Sequence, residues 1–227
     1  MTRNVSARIA GATYLLYIGV AFPSMVLFRK ATAGDAVPAQ LASIAQHAGQ
    51  MRATLLLGLC SIFCALILAV TLNNVTRDED PEIAMFGLVC RAGEGILGGI
   101  VFDVAGLLWL TTGTGPGVPT GEAANTIAAF LLKVGSWQVN AGATLFAAGS
   151  TAFCYLLLRG RMIPVWLAWL GVAGSALVWI GAPLDLTHII GSPVNQLMYL
   201  PIAVFEITVA VWFIVKGVAP ARRRVTA

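Results

Sequence analysis

Long apolar runs constrain this chain more than any other feature. Six of them are readable, at roughly Arg8 to Phe28, Ala53 to Val75, Ile83 to Leu110, Ser136 to Leu158, Pro164 to Ala182 and Asn195 to Lys216. Each holds roughly 19 to 28 residues, and about 20 suffice to cross the hydrocarbon of a bilayer. With 58% hydrophobic and only 11% charged residues, the chain cannot cover a water-facing surface, since soluble domains carry about 25% charged residues. Lipid lifts that requirement but forces each backbone polar group to be satisfied internally, which leaves helices or a closed barrel. The runs are too long and continuous for barrel strands. The expected fold is therefore a single all-α domain over residues 1–227, an integral membrane bundle of about six transmembrane helices.

Charge sets the expected orientation. Arg3, Arg8, Arg77, Arg159, Arg161 and Lys216 flank the runs on the side of both termini, as do Arg222, Arg223 and Arg224. Only Arg29, Lys30, Arg52 and Lys133 fall on the other side. The positive-inside rule then puts both termini in the cytoplasm, with the acidic Asp78-Glu79-Asp80 link carrying little weight. The same rule accounts for the net charge of +4, and nothing points to a nucleic-acid partner. The expected surroundings are the lipid bilayer of a cell (inner) membrane, with a homo-oligomer left open.

Two longer connections lie on the outer side. In the first, Leu41, Ile44, Ala45 and Ala48 recur at helical spacing, which predicts a short amphipathic helix at the outer interface. In the second, residues 111–121 read as irregular loop, and residues 122–132 as a helical segment that joins the fourth span directly or through a kink near Gly135. Ala84, Gly87, Gly95 and Gly98 give the third span a small-residue face, as do Gly171 and Ser175 in the fifth, and such faces allow close helix approach. The third span is expected at the centre of the bundle. Trp109, Trp137, Trp166 and Tyr199 are expected at the membrane interfaces. Cys60, Cys64, Cys90 and Cys154 read as packing residues rather than a metal or disulfide framework.

Ionisable residues within the runs are the candidate site, because a charge in hydrocarbon is costly and is kept for a partner or a purpose. Arg91 and Glu94 are spaced i, i+3 on one helix. Counting from the cytoplasmic ends at 1.5 Å per residue puts Glu94 at roughly 16 Å and Glu206 at roughly 15 Å, so the two meet at one depth. The expected ligand site is a polar interior of Arg91, Glu94 and Glu206 with an outer vestibule near His47, Arg52, Asp103 and Asp185, to which His188 is adjacent. A weaker echo pairs Val101-Phe102-Asp103 and Trp109 with Val204-Phe205-Glu206 and Trp212, as an inverted repeat would. Zincin, nucleophile-elbow and phosphate-loop motifs are lacking, so no catalytic residue, metal ligand or cofactor is assigned. Three function classes remain. The leading one is binding or transport of a small molecule, ion or lipid. The second is an accessory or sensor subunit whose buried charges are structural. The third is an intramembrane lipid-modifying enzyme.

Several stretches resemble the bacterial multi-pass membrane family of the domain of unknown function 4386. They are Ala7-Arg8-Ile9-Ala10-Gly11 with Tyr14-Leu15-Leu16, Ile44-Ala45-Gln46-His47 with Met51-Arg52, Arg91 with Glu94, Leu158-Arg159-Gly160-Arg161 with Ile163-Pro164, and Phe205-Glu206 with Trp212 through Gly217. The resemblance implies a multi-helix membrane protein and no particular activity. Asp103 has no counterpart in it.

Overall fold

The computed structural model describes residues 2–98, 101–187, 189 and 192–219, the last stretch with side chains from residue 197 onward. Its helices are α1 (Arg3–Ala31), α2 (Val37–Gln46), α3 (Ala48–Thr76), α4 (Pro81–Leu97), α5 (Val101–Thr112), α6 (Gly121–Arg159), α7 (Val165–Leu186) and α8 (Ser192–Val215). Local chemistry sets their ends. The Thr2 hydroxyl accepts from the Val5 amide at the start of α1, and Arg29 and Lys30 close that helix where the dipole favours cations. At α4, Asp80 accepts from the Ile83 amide while Pro81 takes a first-turn position that needs no N–H. Arg161, at φ 50°, holds the left-handed position past α6, where Met162 N–H returns to Leu157 O.

Six helical segments are long and apolar enough to cross a membrane, with α4 and α5 contributing to one of them. The chain is thus a multi-pass, all-helical membrane protein. The fourth span is one unbroken 39-residue helix, about 58 Å long at 1.5 Å per residue. The segment before Gly135 therefore runs straight into it. Large apolar side chains such as Phe22, Leu56, Phe63, Phe86 and Ile207 point outward, which suits lipid and would not suit water.

The spans form a ring in which each packs on its neighbours in the chain, and α8 closes the circle against α1. This corrects the expectation that the third span lies at the centre: α4 sits in the wall between α3 and α6. Its glycines serve two neighbours. Gly87 lies against Phe153 and Gly98 against Gly142, both on α6, while Gly95 lies against Ala65 on α3. At Gly142 an added Cβ would come within 2.5 Å of the Gly98 backbone, so the two helices touch there main chain to main chain. On α7, Gly171 accepts Cys154 and Phe205, and Ser175 receives a 2.9 Å hydrogen bond from Thr151.

Two apolar cores result. The larger occupies the end that carries both termini, around Tyr14, Leu72, Phe153, Leu167, Phe205 and Phe213. The smaller gathers Ala31, Ile44, Met51, Val104, Leu107 and Ala128 at the opposite end. Through Ile44, α2 is a packed part of this second core as well as an end-cap, because its apolar face meets α5 and α6. The terminal end is further tied by polar contacts. The Arg159 guanidinium lies 3.1 Å from Asp80, Arg3 Nε donates to Val75 O at 2.6 Å, and the Val218 amide donates to Asn4 Oδ1 at 3.0 Å.

Candidate functional site

Arg91, Glu94 and Glu206 are all buried between the two cores, with Glu94 and Glu206 on the wall of one cavity. Arg91 is fully buried on the inward face of α4, with Glu94 one turn further along. The Arg91 guanidinium lies 3.2 Å from Glu94 Oε2 and 4.7 Å from the centroid of the Phe146 ring on α6, close enough for a cation–π contact. The Tyr17 hydroxyl of α1 donates to the other Glu94 oxygen at 2.7 Å. Glu206 enters from α8, 9% exposed, and the charges of Arg91 and Glu94 both act on it. The buried Tyr14 ring completes the cluster, within electrostatic reach of Arg91 and Glu206.

Hydrogen bonding in this cluster is incomplete. The Arg91 nitrogens, Glu94 Oε2 and Glu206 Oε1 are buried without a hydrogen bond of full geometry. Buried polar atoms are nearly always bonded, so such a group calls for a reason. Here the reason lies next to it: a cavity of about 700 Å³ opens above the charges, walled by residues from all six spans. Tyr17, Glu94, Phe146 and Glu206 line it at mid-depth, and Asp185 lines it near the end of α7. Gly95, Gly98 and Gly142 line it as well, at the points where α4 closes on α3 and α6. The cavity lies in the half of the bundle away from the termini, because α1 reaches it with Met25 late in its course and α7 with Asp185 at its last turn.

The remaining predicted residues are dispersed. Asp185 joins the cavity wall. Asp103 is buried on another side of the bundle, packed so tightly on Gly135 that a Cβ there would overlap its carboxylate. Its oxygens lie near the amides of its own helical turn, without a full hydrogen bond or a cation among the described residues. His47 sits at the α2–α3 junction with Nδ1 2.9 Å from Ser43 O, and Arg52 is exposed in the first turns of α3. The expected vestibule of His47, Arg52, Asp103 and Asp185 is thus not one surface, because α2 packs beside α5 and α6 and carries the first of these away from the cavity wall. His188 and Arg222 to Arg224 lie outside the described residues. The proposed repeat has no structural counterpart in its phenylalanines: Phe102 is 76% exposed and Phe205 2%.

Tyr17, Phe146 and Tyr199 are site residues that the sequence reading missed or placed elsewhere. Tyr199, near the start of the last span, also lines the cavity. The one available signal was the i, i+3 spacing of Tyr14 and Tyr17, which puts two hydroxyls on one face of an otherwise apolar helix. Among the described residues no three His, Cys, Asp or Glu side chains converge as a metal centre requires.

No curated protein and no solved structure matches the chain. The sequence pattern described as domain of unknown function DUF4386 matches residues 9–217, from the first span through the last. With that match covering nearly the whole bundle, the ring of helices and the charges inside it included, the chain belongs to the DUF4386 family.

Proposed function

We propose that the protein binds a small molecule inside the membrane, in the cavity between its spans, as part of a transport-related role. One observation carries this reading: a space of about 700 Å³ reaches two buried carboxylates. Small-molecule sites commonly enclose about 300–1,000 Å³ with few polar groups on an apolar wall. A clasp that served only to fix helix register would seal its charges against one another. Arg91, Glu94 and Tyr17 fit that structural role, whereas Glu206 lines the cavity and keeps a buried oxygen without a hydrogen bond. Orientation follows from charge. Among the described residues, cations gather at the terminal end of the bundle, which supports cytoplasmic termini in an inner membrane and a cavity in the outer half of the bundle.

The test is native mass spectrometry of the gently extracted protein beside an Ala203→Trp variant, which puts an indole into the cavity from its α8 wall. The wild type is expected to carry a non-covalent adduct that the variant loses. A bare chain in both would leave the scaffold role, an accessory or sensor subunit, in its place.

A further inference from the structure

We infer that the ligand is an organic cation, an ammonium or similar positive group on an apolar body, held by Glu206 of the cavity wall. The inference rests on the binding role proposed above and adds the chemical class.

Three features of the site point to it. First, the described residues that line the cavity include Glu94, Asp185 and Glu206 but no Lys, Arg or His. Among the described residues the cation of this cluster, Arg91, is not on the wall. It lies behind Glu94 and Phe146, 3.2 Å from the one and 4.7 Å from the other ring's centroid. Second, Arg91 is one positive charge against two carboxylates. Glu94 takes the close pairing and the Tyr17 hydroxyl besides, whereas Glu206 lines the same cavity and keeps a buried Oε1 without a hydrogen bond. A cation placed there balances the charge, whereas an anion would add a third negative group to a region of low dielectric. Third, the rest of the wall suits an apolar body. Met25, Ile62, Val139 and Ile202 line it, together with the aromatic side chains of Tyr17 and Tyr199. A bare metal ion would leave most of the volume empty and would find too few oxygen ligands.

Two sources supply this chemistry: a free amine from the outer side, or the amino headgroup of a lipid that enters from the bilayer. The experiment uses the full chain in lipid nanodiscs and two probes of nearly equal shape and opposite charge, tetraphenylphosphonium and tetraphenylborate. Binding is read against empty discs. The wild type is expected to bind the phosphonium and not the borate, a comparison that needs no variant to fold. Glu206→Gln is expected to weaken phosphonium binding about tenfold or more. Discs of phosphatidylglycerol alone are compared with discs that also contain phosphatidylethanolamine. A drop in phosphonium binding with the second lipid, seen in the wild type and absent from Glu206→Gln, assigns the natural occupant to a lipid headgroup. Equal binding in both assigns it to a free amine. Equal binding of the two probes, or a Glu206→Gln variant that holds the phosphonium as tightly, overturns the cation. An adduct retained in native mass spectrometry without phosphonium binding also rejects the cation but keeps the cavity role. Loss of both rejects the two together.

Discussion

Tyr17 of α1 donates a 2.7 Å hydrogen bond to Glu94 of α4, two helices that pack on α3 and α8 or α6 rather than on each other. The bond spans the interior of the ring. It gives one carboxylate oxygen its donor while Arg91 faces the other.

Replacing Tyr17 with Phe keeps the ring and removes that donor. Glu94 Oε1 is then left buried and unbonded, a state that costs about 1–3 kcal/mol. Thermal unfolding of the detergent-solubilised variant is expected at a lower temperature than the wild type. An unchanged melting temperature would mean that the hydroxyl is satisfied elsewhere.

Arg91 and Glu94 are expected to be strongly coupled. Arg91→Met alone strands two buried carboxylates and should cost about 3–5 kcal/mol. Adding Glu94→Met should restore part of the loss, with a coupling energy of about 1–3 kcal/mol in a double-mutant cycle. Strictly additive losses would contradict the pair at 3.2 Å.

Backbone contact between α4 and α6 makes its own prediction. A Cβ at position 142 would lie 2.5 Å from Gly98 Cα, so Gly142→Ala must push the helices apart, at about 1–3 kcal/mol. Gly19→Ala is the matched control. Nothing lies within 4 Å of its Cβ, and alanine there should be neutral or stabilising by up to about 1 kcal/mol. Denaturant unfolding of the two variants side by side checks the contrast.

The cap on α4 predicts a pH effect. The Ile83 amide, followed by the Arg159 guanidinium, holds the Asp80 carboxyl below its ordinary value of 3.8. A carboxylate favoured in the folded state stabilises above its unfolded pKa and loses that contribution as pH falls through the folded value. Asp80→Ala should therefore melt lower than the wild type near neutrality, with the difference closing below about pH 4. A gap that stays the same size from neutrality down through the acid range would exclude the ionised cap as its cause.

Sequence alone went far for the spans and part way for the site. Glu94 and Glu206 were matched in depth because residue count along a rod converts directly to height. Span ends were placed short where polar residues hide the helix. Arg3 to Ala7 extend α1 because Thr2 caps it and Ser6 and Ala7 are buried, and Gln50 and Arg52 mask the first turns of α3. Periodicity reports which face of a helix is small, not what meets it. Gly87, Gly95 and Gly98 therefore suggested a central helix, although they serve two neighbours in a ring. Asp103 resisted for another reason. Its setting depends on Gly135, 32 positions away on α6, and no local pattern encodes that meeting. Nor did the acidic link announce its partners: Asp80 lies against Arg159, across the end of the bundle.

Closure of the ring by α8 on α1 has a consequence for biosynthesis. Gly11 of α1 faces the backbone of Ala210, a residue translated almost 200 positions later. The ribosome delivers the first span well before its lateral mate. Until then one flank of α1 must face lipid or a helper protein. The inner acid contributed by Glu206 also arrives with α8, so the cavity is walled in only after that helix has emerged.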